Sequence, residues 1–208
     1  MLIAPLLLLF PAAAQEQPAS TVAPIVTEPE WTTSLATYWI EPPHDSGYLS
    51  AIVAADRGAL HLEAHWAYED RDTLSVFVGK SFPIEGDLEG SVTPRIGIAG
   101  GDSDGIVPAV GLDLAWDKLS FYTDVEYLIA TSDDTDDFLY AWSELAWAFT
   151  DRFSAGIVGE RTNAFDQELS VDRGLLLGMN FGRTQLTVYA FNLDVDDPYV
   201  TIALSAGF

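Results

Sequence analysis

Lys118–Ile129 reads KLSFYTDVEYLI, and its side chains alternate in character. Leu119, Phe121, Thr123, Val125, Tyr127 and Ile129 share one face; Ser120, Tyr122, Asp124, Glu126 and Leu128 share the other. A period of two marks a β-strand, because successive Cβ atoms point to opposite sides. The pattern recurs in both directions along the chain. In Ala59–Tyr68, the set Leu60, Leu62, Ala64, Trp66 and Tyr68 opposes His61, Glu63, His65 and Ala67. In Ile106–Trp116, Val110, Leu112, Leu114 and Trp116 oppose Ala109, Gly111, Asp113 and Ala115. Such segments follow one another from Trp31 to Phe208, separated by Gly, Asp, Pro or Asn clusters, with no convincing helix between them. The spacing predicts about 12 strands, with about 10 as the alternative. Ser34–Ile40 and Gln185–Leu193 are apolar on both faces, so their pattern gives them no orientation.

A soluble sandwich or barrel also alternates, so the decision rests on what each face contains. The less apolar face is rich in Gly, Ala, Ser and single charges, which suits a narrow lumen better than a hydrated surface. The apolar face carries aromatics near strand ends: Trp66, Tyr68, Trp116, Trp147, Phe149 and Phe208. Aromatic girdles at both interfaces belong to transmembrane barrels. The predicted fold is therefore all-β, a closed antiparallel up-and-down transmembrane barrel. Closure satisfies every backbone hydrogen bond in lipid, which an open sheet does not.

The connections alternate in kind. One class is tight and pairs an acid with a base: Asp56-Arg57, Asp117-Lys118 and Asp151-Arg152, with Gly182-Arg183 similar. The other is mostly longer and acidic, around Glu41–Asp45, Glu69–Asp72, Asp102–Asp104, Asp133–Asp137, Asp166–Glu168 and Asp194–Asp197. Short periplasmic turns and long external loops are the outer-membrane arrangement. With an even strand count both termini fall in the periplasm. Pro83–Gly90 is longer than its tight class requires.

Composition narrows the function. The 208 residues hold 9 Lys plus Arg against 32 Asp plus Glu, a formal charge of −23. Nucleic-acid binding needs a basic face and is excluded as a partner. There is no cysteine, which removes disulfides, thiolate chemistry and Cys-based metal sites. Residues 1–14, MLIAPLLLLFPAAA, read as a signal peptide h-region with an A-x-A cleavage site, although no Lys or Arg precedes the apolar run. That run is too short to span a bilayer as a helix, which takes about 20 apolar residues. Residues 15–30 are Pro-rich and aperiodic, a flexible lead-in. Residues 31–208 form the barrel domain.

The final segment, PYVTIALSAGF, places Val200, Ile202, Leu204 and the terminal Phe208 on one face. It resembles the C-terminal signal read by the outer-membrane barrel assembly machinery. ADRGALHLEAHWAYEDRDTLSVFVG, FLYAWSELAWAF and VDRGLLLGMNFG also resemble a family of small, functionally uncharacterised proteobacterial outer-membrane barrels. The resemblance covers most of the chain from Tyr48 onward. It implies fold and outer-membrane location, and it supplies no activity.

Candidate chemistry lies on the inner face. His61, Glu63, His65, Arg95, Asp113, Asp124, Glu126, Glu144, Glu160 and Asp172 are the expected lumen-lining residues, with Arg95 the clearest basic counterpart. His61, Glu63 and His65 invite a metal reading. However, residues two apart on a strand are separated by about 6.8 Å and four apart by about 13 Å, so both histidines cannot hold one ion without a bulge. A lipid hydrolase needs a Ser beside a His, yet no Ser lies two residues from a His on one face. Ser75 and Ser143 would need a strand pairing that the sequence does not supply. No catalytic residue and no cofactor are therefore expected. Asp133, Asp134, Asp136 and Asp137 have a calcium-loop composition without the EF-hand glycine or terminal Glu. They are the one weak external candidate for a divalent cation.

Arg161 and Arg173 fall on the lipid side if alternation is strict, within reach of lipopolysaccharide phosphates. A bulge at Gly174 would turn Arg173 inward, and a rim position would also account for it. Lys80 shares the apolar face near the periplasmic end, where it can snorkel. Acid-lined pores favour cations. The expected function is a narrow passive pore for small cationic solutes, or else a closed structural or surface-interaction barrel, with a membrane-embedded lipid-modifying enzyme as the last alternative. Lipid, lipopolysaccharide and the assembly machinery are the expected partners.

Overall fold

The computed structural model describes residues 29–68, 71–132, 136–164 and 170–208. The proposed signal peptide and residues 15–28 of the lead-in lie outside them. The strands are β1 (Thr32–Glu41), β2 (Tyr48–Arg57), β3 (Leu60–Trp66), β4 (Leu74–Lys80), β5 (Phe82–Ile84), β6 (Glu89–Gly100) and β7 (Gly105–Trp116). They continue as β8 (Leu119–Ala130), β9 (Phe138–Ala148), β10 (Phe153–Ala164), β11 (Ser170–Phe181), β12 (Thr184–Phe191) and β13 (Tyr199–Gly207). Each pairs antiparallel with its sequence neighbour, except that β4 and β5 both pair with β6 and together make one barrel strand broken at Ser81. The ring closes between β1 and β13, from Ser34 opposite Gly207 to Glu41 opposite Val200. The result is a closed antiparallel barrel of 12 strands.

Several sequence expectations are refined by this register. The long Pro83–Gly90 connection is partly strand: Phe82, Pro83 and Ile84 pair with Val92, Ser91 and Gly90. Pro83 is tolerated because β5 is a three-residue edge piece. The tight turn after β2 is Gly58-Ala59, with Gly58 at φ 61°, whereas Asp56 and Arg57 still belong to the strand. Asp117-Lys118 and Gly182-Arg183 do make two-residue turns, with Asp117 at φ 52° and Gly182 at φ 70°. Positive φ in such turns matches the right-handed twist of the flanking strands.

The outer surface is apolar all the way round. Leu35, Val53, Leu62, Val78, Ile98, Val110, Leu145, Ile157, Leu177, Val188 and Ile202 are exposed. A soluble monomer rarely exposes an apolar patch beyond about 300–600 Å², so a continuous belt needs lipid around it. Trp31, Phe82, Trp116, Trp147, Phe153, Phe181 and Phe208 cluster at the tight-turn end, and Trp39 and Trp66 at the long-loop end. These are the two girdles. Lys80 sits at the tight-turn end with its ammonium 5.0 Å from the Phe82 ring centre.

Tyr68 corrects the sequence reading. It does not continue the outer face of β3, because Ala67 adopts φ 50° and breaks the alternation after Trp66. Its ring turns inward against His65 and Tyr140. The two unoriented segments also resolve. Leu35 and Trp39 face out while Tyr38 packs inside; Val188 faces out while Thr187, Tyr189 and Phe191 are buried inside.

Candidate functional site: the barrel interior

The interior has two parts, built from different strands. The first is an ion-pair cluster on β3, β6 and β8. Arg95 Nη1 donates to Glu63 Oε1 at 2.6 Å; Nη2 donates to Asp124 Oδ1 and, at 3.4 Å, to Glu126 Oε1. Glu63 also bridges both histidines, with His61 Nε2 at 3.3 Å and His65 Nε2 at 2.8 Å. His61 Nδ1 reaches Asp56 at 2.7 Å, and His65 Nδ1 lies 3.6 Å from Glu126. Both histidines thus aim Nε2 at the one carboxylate that lies between them on β3. Among the described residues no group of three or more ligating side chains is placed to hold a metal ion.

Local sequence makes room for this cluster. Gly79 lies opposite Arg95 across the β4–β6 ladder, where a Cβ would come 2.7 Å from the arginine stem. Gly97 lies opposite Phe77, and a Cβ there would collide with the ring. Phe77 in turn lies under the Arg95 guanidinium, 5.3 Å from ring centre to Cζ. Small residues on the inner wall thus accommodate large ones on the neighbouring strand.

The second part is aromatic. Tyr38, Tyr68, Tyr140, Trp142, Tyr189, Phe191 and Tyr199 fill the half of the lumen toward the long loops. Some of these contacts cross the lumen. Tyr68, just after β3, meets Tyr140 of β9 edge-on at 5.1 Å between centres, and Tyr38 of β1 meets Trp142 of β9 at 6.3 Å. Glu144 anchors the layer by accepting from Trp142 Nε1 and the Tyr189 hydroxyl, both at 2.7 Å. Glu160 and Asp172 face each other across the β10–β11 ladder, and the Tyr199 hydroxyl lies 3.3 Å from one and 3.2 Å from the other. Above them is a cavity of about 280 Å³ bounded by the rings of Tyr38, Tyr68, Tyr140, Trp142 and Tyr199, with Pro42, Pro43, Tyr48 and Arg71.

Asp113 stands apart from both groups. It occupies the inner face of β7 toward the tight-turn end and is exposed. Sequence reasoning missed the aromatic bridge, because Tyr38, Tyr189 and Phe191 lie in the segments with no readable polarity and Tyr68 follows a local break. The strand pairing that the sequence did not supply for Ser75 is present: His65 lies directly opposite Ser75 in the β3–β4 ladder. The two side chains are not hydrogen-bonded in the way a nucleophile and base require. Ser75 Oγ is fully buried and finds no hydrogen-bond partner among the described residues.

At the rim, no bulge occurs at Gly174. The ladder runs unbroken through Gly159 opposite Arg173 and Val158 opposite Gly174. Arg173 stays outside, where its guanidinium pairs with Asp194 in the β12–β13 loop. Arg161 is likewise exposed. Arg71 spans from the β3–β4 loop to Asp45 at 2.7 Å and lies 4.3 Å over the Tyr48 ring. Hydrogen bonding to the Ser46 backbone N–H and the charge of Arg71 hold the Asp45 carboxyl below its ordinary range, as Arg173 does for Asp194. Asp136 is exposed, and Asp137 accepts from the Ala130 N–H at 2.7 Å and the Tyr127 hydroxyl at 3.2 Å. Asp133 and Asp134, the other half of the calcium-like run, lie outside the described residues.

No family model matches the chain, and no curated protein does. Solved structures do. The KdgM porin superposes with a TM-score of 0.57 at 10% identity, covering 85% of this chain and 99% of the porin. The same porin in complex with disordered oligogalacturonate gives 0.58 at 11% identity, again over 85% and 99%. The NanC porin gives 0.55 at 9% identity over 84% of this chain and 98% of its own. At such identities the likeness establishes architecture alone. The chain has the fold of a small outer-membrane porin, complete around the ring.

Proposed function

We propose that this barrel is a narrow passive pore that prefers small cations. The observation that carries the reading is the charge of the inner wall. Glu63, Asp113, Asp124, Glu126, Glu144, Glu160 and Asp172 line it, with Arg95 the only arginine among the described residues of that wall. Carboxylate-lined passages attract cations and repel anions, most strongly where low-dielectric walls focus the field. The aromatic bridge sets the size limit, because Tyr68 and Tyr140 approach across the lumen. Small conductance is therefore expected. The surrounding lipid, lipopolysaccharide at the long-loop rim and the assembly machinery that would read Val200, Ile202, Leu204 and Phe208 complete the proposed setting. The outward placement of Val200, Ile202 and Leu204 is compatible with such reading.

A second reading has its own observation. Tyr140, Trp142, Tyr189 and Phe191 are buried as deeply as a soluble core, which suits a sealed structural barrel. Planar-bilayer recordings of refolded protein separate the two. Under a KCl gradient the pore reading expects a reversal potential of the cation-selective sign, with conductance rising in Tyr68→Ala. Anion selectivity, or silence in both wild type and Tyr68→Ala, would remove it.

A further inference from the structure

We infer that the cavity at the long-loop end of the lumen binds a small organic cation of the quaternary ammonium class. The inference rests on the porin-like reading only for which side of the membrane the cavity faces, and it deepens that reading by naming the class of solute. The cavity holds about 280 Å³, close to the lower end of small-molecule sites at roughly 300 Å³. Its walls are rings set at steep angles: Tyr68 to Tyr140 at 71° and Tyr38 to Trp142 at 65°. Neither pair is stacked face to face.

The chemistry at its base is unbalanced. Glu160 and Asp172 are directly opposed on adjacent strands, and like charges in that relation destabilise a sheet. Among the described residues neither forms an ion pair. Their hydrogen bonds come from neutral groups: the Tyr199 hydroxyl shared between them, the Tyr140 hydroxyl to Glu160, and Asn192 Nδ2 to Asp172 at 2.6 Å. These neutral donors fill acceptor positions but place no positive charge beside the pair. Arg71 at the entrance is already engaged by Asp45 and Tyr48.

A cation seated here relieves the opposed charges and meets the negative faces of the aromatic walls. Weakly hydrated ammonium ions gain from those faces in a way that sodium, which keeps its water, does not. A metal ion is a poorer match, because no third ligating side chain joins the pair among the described residues.

The test uses the full refolded barrel in detergent micelles, titrated calorimetrically with choline chloride and tetramethylammonium chloride against sodium chloride at equal ionic strength. Saturable binding of both ammonium probes and none of sodium is expected. Glu160→Gln and Asp172→Asn should each weaken it about tenfold, near 1.4 kcal/mol, with barrel integrity checked by heat-modifiable gel mobility. Trp142→Ala should weaken it as well. Absence of saturable ammonium binding, or binding unchanged in both carboxylate variants, overturns the inference. Choline binding without bilayer conductance upholds the site and discards the pore; conductance without choline binding does the reverse.

Discussion

Replacing Arg95 by Gln is the most informative single perturbation of this barrel. The guanidinium is 4% exposed and contacts Glu63, Asp124 and Glu126, whose side chains are 10%, 2% and 1% exposed. At an effective dielectric near 20, unit charges 4 Å apart interact by about 4 kcal/mol. The three attractions do not simply add, because the carboxylates repel one another and all four groups lose hydration. The useful figure is the cost of stranding buried charge when one partner is removed, about 3–5 kcal/mol. Arg95→Gln should therefore lower the unfolding free energy by about that amount, read from reversible denaturant unfolding in lipid vesicles by tryptophan fluorescence. Because the penalty comes from the stranded carboxylates, Arg95→Gln combined with Asp124→Asn should recover about 1–2 kcal/mol of it. An Arg95→Gln barrel that unfolds within about 0.5 kcal/mol of wild type would refute the claim that this cluster holds the inner wall.

Further outcomes follow from the same geometry. Leu175→Arg, in the middle of the exposed face of β11, should destabilise the barrel in vesicles by about 2–4 kcal/mol; a cost near zero would mean that this face does not meet lipid tails. Deleting Phe208, whose backbone N–H donates to Thr33 O at 2.8 Å across the barrel seam, should lower the assembled fraction in the outer membrane. Full assembly would discount the terminal signal. The Arg71–Asp45 contact depends on an ionised carboxylate whose pKa is depressed in the folded state. Its contribution is present above the ordinary Asp value of about 3.9 and disappears as pH falls through the lower folded value. A carbon-13 titration of Asp45 should then show its midpoint below that of a free Asp, and a midpoint at or above it would contradict the contact.

By itself the sequence determined the strands, the closed ring and the sign of each face. Alternation in KLSFYTDVEYLI depends on Cβ geometry within one strand, so no partner is needed to read it. The same holds for the inner placement of Glu63, Asp124 and Glu126. Tertiary structure alone decided what meets what inside. Strand register, set by turn length and position, brings His65 opposite Ser75 and moves the first turn to Gly58-Ala59. The left-handed Ala67 sends Tyr68 inward, and contacts between strands distant in order join it to Tyr140. Period-two reading assigns a side to each residue but carries no information across a lumen. There, distance depends on the curvature and closure of the whole sheet, and that is where the aromatic bridge and the cavity above Glu160 and Asp172 arise.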